Sequence, residues 1–351
     1  MRIFQIITLS ELGGAQAVVI NLTNNLVDEH EVFVIAGGDG PLWKQLDKRV
    51  HQIKIKSLKR SISLLDFFVW VKLLYLRICY RPDVVHLHSS KIGTLGRLVF
   101  SRKKIVYTVH GFDSIRVGFR RFLPIEKKIQ KRAHFIVAVS MYDKKNLAAE
   151  NISANVTTIY NGVQDVTSAV SDEKLLNAIQ VVKSQQNSIK ILNISRLAKP
   201  KRFDLFCEIA KTLPDISFFW AGNQYVPQNV PPNVFCLGEI QNAAFLNQYI
   251  DVFILVSDYE GLPISIIEAL SCSVPVIASN VGGISEILDG ENGFSVDNEV
   301  NIFKNKILFY KENIQAYQLA CVAARKKYEE KFTPDKMFER YFSLYKQIVA
   351  K

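Results

Sequence analysis

Val252-Phe-Ile-Leu-Val-Ser-Asp-Tyr-Glu-Gly-Leu-Pro-Ile-Ser-Ile-Ile-Glu-Ala-Leu270 is the stretch from which the rest of the chain is read. Residues 252–257 form an apolar stretch that ends at Ser257, the pattern of a parallel strand covered on both faces. A Gly-Leu-Pro turn follows. From residue 265 the pattern predicts a helix, with Glu268 about two turns in. Strand, loop and helix in this order are the repeating unit of a doubly wound sheet, whose loops at the carboxyl ends of the strands face the ligand crevice. Glu260 stands in such a loop. Loop amides at a helix start suit a phosphate, and a carboxylate beside them can hold sugar hydroxyls. The plain alternative, two solvated glutamates, is disfavoured by the residues around them.

The same alternation runs through the whole chain. Strands are predicted at 3–8, 32–36, 84–87, 105–109 and 135–139, and again at 189–194, 217–220, 234–236, 252–256 and 275–278, with helical runs between them. This βαβα order implies parallel sheets with helices on both faces. A length of 351 residues suits two such domains. The predicted division is 1–165, 166–331 and a C-terminal helical tail, 332–351. A polar linker is expected at 163–171.

Composition narrows the function class. No run of 18 uncharged apolar residues suggests a spanning helix. The first residues enter a strand pattern directly, without the layout of a signal peptide. Five scattered cysteines, with no Cys-x-x-Cys, suit a reducing cytoplasm and argue against a structural zinc site. Residues 1–165 hold 25 Lys and Arg against 13 Asp and Glu, a balance of +12, while residues 166–351 hold 19 against 20. The positive field therefore belongs to the first half and attracts anionic partners. Two segments of that half mix cations with apolar residues. Residues 58–82 are expected to be mainly a buried helix. Residues 116–132 suit an anionic bilayer surface. Nucleic acid is not expected, since no recognised binding module is present.

Other loops add candidate chemistry. Gly13-Gly14 follows the first strand and opens a helix, where backbone can approach an anion, although the dinucleotide pattern G-x-G-x-x-G is absent. Arg196 and Lys201 follow the strand at 189–194 and can neutralise a diphosphate, Arg as a fork and Lys as a point charge. His110 ends a strand beside Gly111 and can donate a hydrogen bond or shuttle a proton. His86 and His88 share one strand face, but no third ligand is spaced for a metal. Gly282-Gly283 is another turn able to face the crevice. The cluster 289–293 reads as a structural turn.

Together these residues resemble the retaining glycosyltransferases of family 4 (GT4), which have the GT-B fold. The resemblance covers most of the chain. It is carried by Gly13-Gly14, Thr108-Val-His110-Gly111, Tyr160-Asn161-Gly162-Val163, Ser195-Arg196 with Lys201, Ala221-Gly222-Asn223, Leu237-Gly238, the quoted segment from Ser257 to Leu270, Pro275-Val-Ile-Ala-Ser-Asn-Val-Gly-Gly283-Ile-Ser-Glu286 and Asn292-Gly293. It implies two Rossmann-like domains facing across a cleft, with the C-terminal helix crossing back. It implies a nucleotide-sugar donor, a UDP-sugar before a GDP-sugar, and a saccharide acceptor that is lipid-diphosphate-linked. It implies no metal or other cofactor, and a cytoplasmic enzyme held at the inner face of the plasma membrane in surface-polysaccharide synthesis.

Carried over residue by residue, Glu260 would contact the transferred sugar and Glu268 the ribose. Arg196 and Lys201 would hold the diphosphate, with Gly14 approaching it. His110 would meet the donor sugar. Gly261, Leu262, Pro263 and Ile264 would face the donor, and Gly222, Asn223 and Ile240 would line its nucleotide end. Two departures bear on donor identity: Ser271-Cys-Ser273 replaces a turn that usually carries glycine, and Gln16 stands where an acid is frequent. A non-catalytic GT-B binding protein and a GT-B sugar-nucleotide epimerase are the alternatives.

Overall fold

A computed structural model describes residues 1–11, 13–166, 172–185 and 189–350. Residues 167–171 of the expected linker lie outside the described residues. The chain forms two compact units, Met1–Val163 with the stretch from Pro334 onward, and Gln164–Thr333.

The first unit is built on a seven-stranded sheet of order β3-β2-β1-β4-β5-β6-β7. Its strands are β1 Arg2–Leu9, β2 Glu31–Gly37, β3 His51–Lys54, β4 Val84–Leu87, β5 Ile105–Val109, β6 Phe135–Ala138 and β7 Val156–Thr158. All six strand pairs are parallel. The second unit carries a six-stranded parallel sheet, β10-β9-β8-β11-β12-β13. Its strands are β8 Lys190–Ile194, β9 Ser217–Ala221, β10 Val234–Gly238, β11 Val252–Leu255, β12 Val276–Ser279 and β13 Gly293–Val296. Strand order reverses between β1 and β4 in one sheet and between β8 and β11 in the other. Those are the switch points where an open α/β sheet parts its loops and leaves a crevice.

Side-chain alternation sorts the first sheet into two different faces. Phe4, Ile6, Phe33, Ile35, Val85, Leu87, Ile105 and Tyr107 point one way. They pack against Val69, Leu73 and Leu76 of the Leu65–Tyr80 helix, Ile92 and Val99 of the Ser90–Val99 helix, and Leu123. Full burial of one such side chain contributes about 1.5–3 kcal/mol. On the opposite face Gln5, His86 and Thr108 meet Tyr341 and Tyr345 of the C-terminal Pro334–Val349 helix.

Three strands differ from the sequence expectation. The strands β3, β7 and β13 were not predicted, and all three are short strands at sheet edges. An edge strand needs no continuous apolar run, and neither β3 nor β7 buries a single residue fully. The expectation of a buried helix at 58–82 is also corrected. The Leu65–Tyr80 helix buries only Val69, Leu73 and Leu76, and leaves Phe67, Phe68, Val71, Tyr75 and Ile78 exposed. It is an outer-layer helix whose apolar residues go around its circumference, so one sheet cannot cover them all.

Candidate active site

The switch point of the second sheet brings the loops after β8 and β11 together. Their backbones are stitched on both sides: Arg202 N–H donates to Val256 O at 3.1 Å and Asp258 N–H to Pro200 O at 2.9 Å. Lys201 and Ser257 form an isolated antiparallel bridge between these two hydrogen bonds. This registers Lys201 against Glu260, whose side chains pair through Nζ and Oε1. Ser257 Oγ donates to the same carboxylate oxygen at 2.6 Å. Both side chains are largely withdrawn from solvent, at 18% and 12% exposure, so the pair is screened less than a surface bridge.

A third loop braces Glu260 from behind. Gly282 has φ +61°, and a Cβ there would stand 2.0 Å from the Glu260 carbonyl oxygen. Gly283 N–H donates to Gly261 O at 2.8 Å. Only a residue without a side chain lets the backbones approach this closely. Leu262, Pro263 and Ile264 are buried, and the helix that follows runs Ile264–Ser271. Glu268 is its fifth residue, one turn in rather than the expected two, because the helix starts at Ile264 and four residues make about one turn. Burial pushes the Glu268 carboxyl up to about 7. Its carboxylate takes no hydrogen bond or ion pair among the described residues. Glu268 is half-buried, and a carboxylate partly withdrawn from water with no protein donor gains from ligand hydroxyls.

Arg196 is exposed, and its guanidinium has no side-chain partner among the described residues. Gly222, with φ +112°, brings its Cα against the Ser195 carbonyl, where a Cβ would be 2.5 Å from the oxygen. Asn223 is buried and ties this loop together: its Oδ1 accepts from Gly238 N–H at 2.8 Å and its Nδ2 donates to Tyr225 O at 3.1 Å. Ile240 follows at the end of β10, half-buried.

In the first unit His110 follows β5 and heads a chain of buried hydrogen bonds. Its Nε2 lies 3.2 Å from His88 Nδ1, and His88 Nε2 lies 2.7 Å from Gln5 Oε1. Gln5 Nε2 donates to Tyr345 Oη at 3.0 Å. Tyr345 Oη is 2.6 Å from His86 Nδ1, and His86 Nε2 is 2.7 Å from Thr108 Oγ1. Thr108 Oγ1 completes the chain to Tyr341 Oη at 3.1 Å. Burial lowers all three histidines, His110 to about 4. All are neutral at pH 7, so each ring has one donor and one acceptor.

That restriction gives the chain a direction. Gln5 Oε1 can only accept, so His88 Nε2 donates and His88 Nδ1 accepts. His110 Nε2 therefore carries the proton, and His110 Nδ1 keeps its lone pair. Tyr345 in turn donates to His86 Nδ1. The ring nitrogens of His86 and His88 are thus committed to these partners. A cavity of about 150 Å³ in this unit is lined by Ala15, His88, Ser89, His110, Gly111 and Ser114, so the helix start at Gly14 and the His110 loop border one space.

Sequence reasoning missed Ser257 and Gly282 as supports of Glu260, and Gln5, Thr108 and Tyr345 as partners of the histidines. A signal was present for the second group. Gln5, His86, His88 and Thr108 are polar residues at alternate places in otherwise apolar strands, which puts them on one face.

Two family models match the chain: Glycosyltransferase Family 4 over residues 12–165 and Glycosyl transferases group 1 over residues 188–313. The O-antigen biosynthesis glycosyltransferase WbnH of Escherichia coli is 28% identical, with 98% of each chain covered. An E. coli protein named UDP-Gal:alpha-D-GlcNAc-diphosphoundecaprenol alpha-1,3-galactosyltransferase is 28% identical over 85% of this chain and 84% of its own. Among solved structures, Anabaena Alr3699/HepE in complex with UDP-glucose superposes with a TM-score of 0.84 at 18% identity, covering 99% of this chain and all of that one.

Proposed function

The chain belongs to glycosyltransferase family 4, with the GT-B fold, and from that premise we propose that it is a retaining enzyme transferring a sugar from UDP to a lipid-diphosphate-linked saccharide in surface-polysaccharide assembly. The observation that carries this reading is the Lys201–Glu260 pair at the second switch point, with a half-buried Glu268, whose carboxylate has no partner among the described residues, one helical turn into the helix that follows.

In the reaction the bond from the anomeric carbon to the diphosphate breaks, and the acceptor oxygen attaches on the same face. The acceptor's proton leaves with the departing phosphate. Glu260 holds hydroxyls of the transferred sugar and stabilises positive charge developing on its ring. Lys201, displaced from Glu260 by the donor, joins Arg196 on the diphosphate and offsets the charge of the leaving group. Glu268 accepts the ribose hydroxyls, which supply the donors that its carboxylate lacks. Gly222, Asn223 and Ile240 wall the nucleotide end, while Gly261 to Ile264 face the sugar. Gly14 approaches the phosphates and His110 offers its Nδ1 lone pair to a sugar hydroxyl.

The acceptor class is supported by the name of the second E. coli relative, a galactosyltransferase for a diphosphoundecaprenol-linked sugar. The UDP preference is supported by the nucleotides in the HepE complexes. The basic first half suits an enzyme working against the anionic inner face of the membrane. The test is transfer from a panel of UDP- and GDP-sugars to a lipid-linked saccharide, with the anomeric configuration of the product read by NMR. An α-linked product from an α-donor is expected, together with loss of transfer in Lys201→Ala and Glu260→Ala. Turnover surviving both substitutions, or an isomerised sugar nucleotide with no acceptor-linked product, overturns the reading.

A further inference from the structure

The Leu65–Tyr80 helix carries two apolar sides. One is buried against the first sheet. On the other, Leu64 is 93% exposed, Phe67 64%, Phe68 61%, Val71 43%, Tyr75 54% and Ile78 63%. Their spacing of three and four residues makes one continuous stripe along the helix. The acid of this helix is turned away from the stripe: Asp66 is 16% exposed and held by Lys91 Nζ at 2.5 Å. Lys72 lies beside the stripe, its Nζ 4.9 Å from the centre of the Tyr75 ring.

The neighbouring elements repeat the pattern. The Ser90–Val99 helix packs against the Leu65–Tyr80 helix on one side and the Leu123–Ile129 helix on the other. All three lie on the same sheet face, so their outer sides point the same way. Ile125 of the Leu123–Ile129 helix is exposed, as are Val117 and Phe119 shortly before it in the chain, with Arg120, Arg121 and Lys128 as sequence neighbours. The acids are again withdrawn: Glu126 is buried against Arg97 at 2.6 Å, and Glu150 bridges Arg120 and Lys127. Residues 56–81 hold six cations and one acid, and residues 116–132 hold seven and one.

We propose that this helical layer docks on an anionic lipid bilayer, with the Phe67, Phe68, Val71 and Ile78 edge seated at the acyl boundary and the surrounding Lys and Arg meeting the headgroups. Charge selects this occupant. A second copy would bring the same cations face to face, which like-charge repulsion opposes, whereas an anionic bilayer offers an apolar interior beneath a negative surface. The helix lies on the membrane and does not cross it: 16 residues span about 24 Å, and no helix among the described residues is long and apolar enough to span. The surface stands on its own observations, and rests on the proposed acceptor only for its purpose.

The full chain would be centrifuged with phosphatidylcholine vesicles, with and without phosphatidylglycerol, at low and high salt. Trp70 lies on this helix, half-buried, while Trp43 and Trp220 are buried, so its emission reports docking. Sedimentation with the phosphatidylglycerol vesicles alone is expected, weakened by salt and accompanied by a blue shift. The double variant Phe67→Ser/Phe68→Ser should bind at least about tenfold more weakly, as two buried aromatic side chains contribute well over that factor. Leu319→Ser/Val322→Ser, equally exposed in the second unit, should bind as wild type. Unchanged melting and unchanged transfer to a lipid-free saccharide acceptor show that the Phe67→Ser/Phe68→Ser variant is folded. Equal vesicle binding by wild type and that variant, no binding by wild type, or a dimer that the variant dissolves would overturn the proposal. Loss of transfer in wild type with vesicle binding intact would instead count against the proposed function.

Discussion

Around the candidate site of the first unit, the buried polar groups are neutral and joined end to end. Around that of the second unit they include the ionisable Lys201, Glu260 and Glu268. His110, His88 and His86 are held uncharged by burial and satisfied by Gln5, Tyr345 and Thr108. Lys201 and Glu260 are an ion pair, and Glu268 is a carboxyl with no protein donor among the described residues. The two designs fail differently. A neutral chain transmits orientation and breaks when any one donor loses its acceptor. A charged site depends on its counter-charge and on exclusion of water, so it responds to a lost partner and to pH.

The largest expected effect tests the charged half. Lys201→Ala and Glu260→Ala should each lower kcat by about 10²- to 10³-fold, the range for losing one preorganised electrostatic partner. The double variant should be little worse than either single one, because the two act as a unit. Additive losses would show that they work separately. Next is the brace: Gly282→Ala puts a Cβ into the Glu260 carbonyl in a left-handed conformation, costing about 1–3 kcal/mol in strain. Melting should fall, and transfer should fall further than melting accounts for.

Tyr345→Phe sharpens the neutral half. It removes the hydroxyl between Gln5 and His86 and leaves buried partners unmet, at about 1–3 kcal/mol of stability. If the chain orients His110, kcat falls while KM for the donor holds. If it serves only the fold, melting alone changes. His110 should also show its Nε2 protonated in the ¹⁵N spectrum at pH 7.

The smallest effect is the pH dependence, and its sign differs between the units. The Glu268 carboxyl is raised from 4.5 to about 7, so the folded state holds its proton longer and this group's stability declines as pH rises from 4.5 to 7. His110 is lowered from 6.5 to about 4, so its stability is lost as pH falls across that range. UDP affinity should rise as pH passes 7, since the ionised carboxylate accepts ribose hydroxyls, and Glu268→Gln should flatten that rise. A slope unchanged in Glu268→Gln would remove Glu268 from the nucleotide site.

The doubly wound architecture was legible because central parallel strands are apolar on both faces and leave long runs such as 252–256. The edge strands β3, β7 and β13 were not, since exposure on one side frees them from that pattern. Arg196, Lys201, Glu260 and Glu268 could be picked out because loops after predicted strands carried charge. Their pairing was not legible: Lys201 and Glu260 are 59 residues apart, and their meeting depends on β8 lying beside β11. The helix at 65–80 shows the reverse failure. Its apolar content was plain, but content does not say which side a sheet covers.

The sequence by itself determined the periodicities, the strand–loop–helix order and the residue types at loop positions, because these follow from local backbone geometry and burial on average. Tertiary structure alone decided which groups became partners. Strand order set Lys201 on Glu260, the close backbone at Gly282 braced it, and the return of the Pro334–Val349 helix to the first sheet put Tyr345 between Gln5 and His86. Burial then set the protonation of Glu268 and His110, since the cost of holding a charge depends on everything packed around it and not on neighbours in the chain.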